Sequence, residues 1–290
     1  MKISVLTPSY NSVEYIERAI QTVLHQDYDD VEHIVVDGGS TDGTVEILKK
    51  YPSLKWISEK DNGQSDAMNK AFKLSTGDII VYLNADDFFE ANVFRSVALL
   101  FEEHEDCDIL VGDLYHESAL TGEKRLMQFE HEYKKILLHF KYGFPFNPVA
   151  YFYKRIVQEK VGAFPENNHY AMDYWFLLEA LRSHKVYKLD RVFGTFYKTG
   201  YNKTSNTNSN LNCRVVALNH IKKYDNSAYL YYKSNSILSK IIQIKYLYKK
   251  PFKRLFYNFY FSRYITLEEY NKIGFKEARR RRSILKRKVF

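Results

Sequence analysis

The run Ile79-Ile80-Val81-Tyr82-Leu83, followed at once by Asn84-Ala85-Asp86-Asp87, sets the tightest limit on the fold. It is short, rich in β-branched residues and has no polar alternation, so as a strand it must be covered on both faces. Such strands belong to sheets with helices packed above and below. The run stops at two adjacent carboxylates, which at the end of a buried strand repel each other and resist desolvation. A divalent cation relieves both costs, and hard cations such as Mg²⁺ take carboxylate oxygen. Ligands bind α/β sheets at the carboxyl ends of their strands. The competing reading is a solvated turn that happens to carry Asp-Asp.

The flanking segments favour the first reading. Lys2 to Thr7 reads as a strand, and Ser12 caps a helix with Ile16, Ala19, Ile20, Val23 and Leu24 on one face. Ile34-Val35-Val36-Asp37 is a second strand ending in a carboxylate, and a glycine-rich loop leads from it into a helix over Val45–Lys50. Trp56-Ile57-Ser58 is a third strand, Gln64 to Leu74 a helix, and Asp108 to Asp113 a fifth strand after a helix through Val93, Val97, Leu100 and Phe101. Strands alternating with helices argue for parallel pairing with right-handed crossovers. Asp37, Asp61 and Asp86 then gather at one edge of one sheet. A dinucleotide-binding sheet would need Gly-x-Gly-x-x-Gly after the first strand, where this chain has Pro8-Ser9-Tyr10-Asn11-Ser12, and no P-loop sequence occurs.

The order Thr7-Pro8-Ser9-Tyr10-Asn11, Val36-Asp37-Gly38-Gly39-Ser40-Thr41-Asp42-Gly43-Thr44, Ser58-Glu59-Lys60-Asp61-Asn62-Gly63 and Leu83-Asn84-Ala85-Asp86-Asp87 resembles the family-two glycosyltransferases. These are inverting enzymes of the GT-A fold that use nucleotide-sugar donors. The likeness is dense over residues 1–115 and sparser to about 205. It implies an α/β, GT-A type nucleotide-sugar-binding sandwich with a mainly parallel central sheet over 1–205, split into a nucleotide-sugar half (1–115) and an acceptor half (116–205). Residues 206–290 then form a basic, aromatic-rich helical appendage.

The resemblance also implies roles. Thr7, Pro8 and Tyr10 line the base pocket, where the Tyr10 ring stacks on a planar base. Asp37 accepts a hydrogen bond from base or ribose, and Asp61 lies near the base. Asp66 and Asn69 face either the donor or solvent. Asn84-Ala85-Asp86 occupies the family's Asp-x-Asp position: Asp86 holds Mg²⁺ or Mn²⁺, Asn84 reaches the ribose, and Asp87 supports the site or holds the sugar. Asp173, in Ala171-Met172-Asp173-Tyr174, resembles the family's catalytic base at the start of an acceptor-side helix, although Met172 stands where relatives often have Glu. Many relatives carry a metal-binding His after the last core strand. The matching stretch here, Phe196 to Tyr201, has none, and Lys198 is expected to pair with the diphosphate as a point charge. These departures support an alternative, a catalytically silent nucleotide-sugar-binding or membrane-associated protein of the same fold.

Cys107 and Cys213 have no metal or redox spacing, Met1 leads straight into a core strand, and no apolar run is long enough to span a bilayer. A cytoplasmic protein is therefore expected. From Tyr229 to the C-terminus 17 Lys and Arg face 3 Glu, a surplus of +14 that leaves the first 228 residues at −6. Tyr and Phe interleave with this charge, notably around Ile237–Lys245 and Leu255–Phe261, a pattern suited to an anionic membrane surface. The expected partners are a nucleotide-sugar donor, a glycan or lipid-linked acceptor and the inner face of the membrane through 229–290, with no nucleic acid. Glu130–Phe140 reads as a helix and Ser205–Asn212 as a loop.

Overall fold

The structure, a computed structural model, describes residues 1–129, 131–133, 136, 144–167, 171–200, 202 and 209–224. In chain order these form β1 (Ile3–Ser9), α1 (Ile16–Leu24), β2 (Val31–Asp37), α2 (Thr44–Leu48), β3 (Lys55–Ser58), α3 (Gln64–Leu74), β4 (Ile79–Tyr82), β5 (Phe88–Phe89), α4 (Val93–Glu103), β6 (Ile109–Ser118) and β7 (Lys124–Met127). A 3₁₀ turn (Pro148–Ala150) precedes β8 (Tyr151–Lys154), α5 (Arg155–Val161), α6 (Met172–Ser183), β9 (Val186–Lys198) and α7 (Ser209–Tyr224).

The strands form one sheet in the order β3-β2-β1-β4-β8-β6-β9-β5, with β7 paired to β6. β1 to β4 pair in parallel, and β9 runs parallel to β6. β8 is inserted antiparallel between β4 and β6, and β5 runs antiparallel to β9. The chain winds outward from β1 through β2 to β3, then crosses back to place β4 on the other side of β1. The carboxyl ends of β1 and β4 therefore flank a topological switch point, where an open sheet leaves a crevice for ligand.

All four residues of β4 are buried, as the apolar run demands. Helix α3 spans Gln64–Leu74, the limits read from the sequence. β2 starts at Val31, three residues earlier than its apolar pattern, because Glu32 and His33 are buried with partners. Glu32 accepts hydrogen bonds from Ser4 Oγ (2.6 Å) and the Thr76 amide (2.6 Å), and pairs with Lys55 at 2.6 Å. Burial opposes its ionisation, but these partners hold its pKa far below the usual range. His33 Nε2 lies 2.9 Å from Thr7 Oγ1.

Other expectations shift. Ser12 does not cap α1 through its side chain: the cap is Tyr15, and the Ser12 carbonyl accepts from the amides of Tyr15 and Ile16. Leu24, at the helix end, is 46% exposed. Residues Ser209 to Asn212, read as loop, open α7. The chain divides into compact units at Met1–His220 and Ile221–Phe290, so the sequence-based boundary after residue 205 falls before α7. No helix among the described residues is long and apolar enough to cross a membrane. The basic, aromatic stretch 229–290 lies outside the described residues, as does most of the helix expected over 130–140.

Candidate functional site

Asp37 ends β2 beside Ser9, the last residue of β1. Its carboxylate organises the loop that follows. Oδ2 accepts from the amides of Gly39 (3.1 Å) and Ser40 (2.8 Å) and from Ser58 Oγ (2.7 Å), while Oδ1 accepts from Ser40 Oγ. Any contact with base or ribose has to share these oxygens. Asp61 Oδ1 accepts from the Gly63 amide at 2.8 Å, and its carboxylate lies against Gly38, where an added Cβ would stand 2.7 Å from Oδ2. Tyr10, just past β1, is 63% exposed and presents an open aromatic face. The loop that carries it is laced to the loop after β2. The Asn11 amide donates to Ser40 Oγ (2.7 Å), Asn11 Oδ1 accepts from the Thr41 amide (3.0 Å), and the Val13 amide donates to Asp42 Oδ2 (3.0 Å). Thr7 and Pro8, expected in a base-lining turn, are buried residues within β1, and the Thr7 hydroxyl is taken up by His33.

At the end of β4 the turn closes through an Asp87 amide to Asn84 carbonyl bond of 3.1 Å. Asn84 Nδ2 donates to Asp87 Oδ2 at 2.8 Å, and its Oδ1 accepts from Gln64 Nε2 at 3.0 Å. Asp87, expected either to support the site or to hold the sugar, is fully buried. Its oxygens accept from Asn84, from Asn147 Nδ2 (2.7 Å) and from the Tyr197 amide (3.0 Å), so it braces the turn from beneath. Burial, and then the charge of Asp86, raise its pKa well above the carboxylate range. Asp86 is only partly exposed, and burial raises its pKa too.

Asn202, beyond β9, donates from Nδ2 to Asp86 Oδ2 at 2.8 Å, while its Oδ1 accepts from the Thr199 amide at 2.8 Å. Arg18 of α1 lies under the same turn, with Nη2 3.4 Å from the Asp86 carbonyl oxygen. Asn202, Arg18 and Asn147 escaped the sequence reading because each reaches the turn from a distant element. Lys198, expected near the diphosphate, is exposed, and its charge helps lower the pKa of His116 on β6, after burial. The cation that acts on Asp86 is Arg18.

Among the described residues no group of three or more His, Cys, Asp or Glu forms a protein-only metal centre. Asp86 nevertheless offers what a diphosphate-bound cation needs. Its Oδ2 accepts a hydrogen bond from Asn202, and as a partly exposed carboxylate it is an oxygen donor of the kind that could hold a hard cation.

Asp173 lies in the first turn of α6, as expected. Ser65 Oγ, in the first turn of α3, donates to the sulfur of Met172 at 2.8 Å. The neighbouring Gln64 holds Asn84. Two adjacent residues of α3 thus tie the start of α6 to the turn carrying Asp86. The Asp173 charge adds to burial in raising the pKa of Tyr151 and Tyr82 beneath it. Asn69, considered for donor contact, is buried and brackets Phe164 through its backbone N–H and C=O (2.8 and 2.9 Å). Asp66 accepts from the Asn62 amide and pairs with Lys70.

The model of glycosyl transferase family 2 matches residues 4–162. An uncharacterised glycosyltransferase of Nostoc is 31% identical over 43% of this chain and 39% of its own length. The PGL/p-HBAD biosynthesis glycosyltransferase of Mycobacterium bovis is 35% identical over 40% of this chain and 48% of its own. The poly(ribitol-phosphate) β-N-acetylglucosaminyltransferase TarS of Staphylococcus aureus is 26% identical over 62% of this chain and 32% of its own. The chain thus spans less than half the length of these relatives. The crystal structure of a TarS fragment with UDP-GlcNAc superimposes with a TM-score of 0.64 at 22% identity, covering 78% of this chain and 68% of that one. The Pyrobaculum calidifontis mannosyltransferase PcManGT, in complex with GDP-Man and Mn²⁺, gives 0.53 at 19% identity, over 77% and 63%. At these identities the likeness fixes the fold, an α/β sandwich of GT-A type.

Proposed function

This chain belongs to glycosyl transferase family 2, and from that premise we propose that it is an inverting glycosyltransferase of hexosyltransferase type. It moves a sugar from a nucleotide-sugar donor, UDP-linked by preference, to a hydroxyl of a glycan or lipid-linked acceptor. The observation that supports this reading is the double link from α3, through Ser65 to Met172 beside Asp173 and through Gln64 to Asn84 in the Asp86 turn.

Tyr10 stacks on the base, and the loops pinned by Asp37 and Asp61 receive base and ribose. Asp173 takes the proton of the acceptor hydroxyl as that oxygen attacks the anomeric carbon from the side opposite the diphosphate. The new glycosidic C–O bond forms as the bond from sugar to phosphate breaks, and the electron pair leaves with the nucleoside diphosphate. Asp86 would hold Mg²⁺ or Mn²⁺, with Asn84 and Asn202 as oxygen-bearing neighbours. Such an ion supplies positive charge to the diphosphate. Asp87, buried and reluctant to ionise, keeps the turn in shape beneath it. The reading includes peripheral attachment to the inner membrane face through 229–290, supported by the +14 surplus of that stretch.

Thermal shift against UDP-, GDP- and other nucleotide sugars, with and without Mn²⁺, tests the donor half, because ligands that bind only the native form raise its stability. A cation-dependent rise that disappears in Asp86→Ala is expected. No rise with any donor, or an unaltered one in Asp86→Ala, counts against the assignment. A protein that binds donor and never transfers sugar is the silent alternative.

A further inference from the structure

The guanidinium of Arg18 is held between two aromatic rings. Its central carbon lies 4.0 Å from the centroid of Phe88 and 4.1 Å from that of Tyr197. The two rings are tilted 53° to each other with centroids 6.2 Å apart, so the half-buried guanidinium sits in the angle between them with cation–π contact to both. Its hydrogen bond to protein is a long one, 3.4 Å from Nη2 to the Asp86 carbonyl oxygen. Among the described residues it makes no ion pair with a carboxylate. A rigid cation with most of its five N–H donors uncommitted is prepared for an anion.

The clamp is built from the site itself. Phe88 follows Asp87 in the chain, and the amide of Tyr197 is the one that holds Asp87 Oδ1. Arg18 therefore keeps a fixed position relative to the Asp86 turn, with Nη2 3.4 Å from the Asp86 carbonyl oxygen. On the donor reading given above, on which this inference rests, the anion that comes to Asp86 is the nucleotide diphosphate.

We propose that Arg18 is a positioning residue of the diphosphate subsite: a clamped positive charge that holds the Asp86 peptide and offsets the negative charge of the nucleotide's phosphates. It supplements whatever cation Asp86 carries, in a chain that lacks a histidine between Phe196 and Tyr201.

The test is calorimetric binding of UDP and of uridine, with GDP and guanosine as a second pair, to the full chain and to Arg18→Met and Arg18→Lys. Each is measured in chelator and in Mn²⁺, and Mn²⁺ alone is titrated as well. Met preserves an apolar filling between the rings. Arg18→Met is expected to weaken the diphosphates by about tenfold, the order of one charge-assisted contact, while leaving the nucleosides unchanged. Mn²⁺ alone should bind no more weakly, because removing a nearby positive charge favours a cation. Lys should recover part of the loss. A diphosphate-to-nucleoside affinity ratio that does not change in Arg18→Met overturns the proposal and leaves the donor reading standing. Equal weakening of nucleoside, diphosphate and Mn²⁺ also overturns it, since that marks a residue that only supports the fold. If the unsubstituted chain binds neither diphosphate, the donor reading falls and Arg18's role falls with it.

Discussion

At the scale of single residues, burial together with hydrogen-bond partners marks the groups that hold the site in shape. Asp87 has no exposed surface and satisfies three donors. Asp87→Ala should strand those donors and cost roughly 3 kcal/mol or more, read from urea unfolding; a loss under about 1 kcal/mol contradicts the bracing role. Tyr151 is the opposite case. Its hydroxyl is buried with no hydrogen-bond partner among the described residues, so Tyr151→Phe should leave the melting temperature unchanged or raise it, and a clear fall would refute that description. His33 sets a pH dependence. Burial holds its pKa at about 3 against an ordinary 6.5, so between these values the unfolded chain binds a proton that the folded chain refuses. Its contribution is whole above pH 6.5 and is lost as pH falls toward 3, by up to about 1.4 kcal/mol per unit. His33→Gln should flatten the stability profile across that interval; an equally steep profile would exclude His33 as its source. The places of Asp37 and Asp86 at strand ends were legible because an apolar run stops at each, and the place of Asp173 at a helix start came from the family resemblance. Arg18, Asn147 and Asn202 were not legible, because their partners lie 60 or more positions away in the chain.

At the scale of elements, hydrophobic period located nearly every strand and helix of the first half, and α3 to the residue. It misjudged β2, where buried Glu32 and His33 break the apolar pattern without leaving the sheet. It did not show that β8 runs antiparallel, since strand direction depends on long-range pairing rather than on local pattern. Nor did it reach the extension of β6 to Ser118, whose last residues are only half buried and pair with the short exposed β7. The loops after β1 and β2 form one preorganised unit through Asn11, Ser40, Thr41 and Asp42. Gly38 is the tight point in it. Gly38→Ala would push its new methyl against the Asp61 carboxylate, so nucleotide affinity should fall severalfold while the fold persists. Calorimetry with UDP checks this, and unchanged affinity would remove Asp61 from the donor site.

At the scale of the whole molecule, the charge is split between a slightly acidic first 228 residues and a strongly basic remainder. The full chain should float with vesicles containing anionic lipid, lose that association in high salt, and ignore zwitterionic vesicles. Equal flotation with both lipid types would dismiss the electrostatic attachment. The account's central claim is that Asp86 and Asp173 serve one site, and sugar transfer by Asp173→Asn measured beside its UDP affinity tests it most directly. Loss of the base should lower kcat by about a hundred- to ten-thousandfold with UDP binding intact, because the proton moves only as the acceptor attacks. Transfer at the unsubstituted rate would contradict the account.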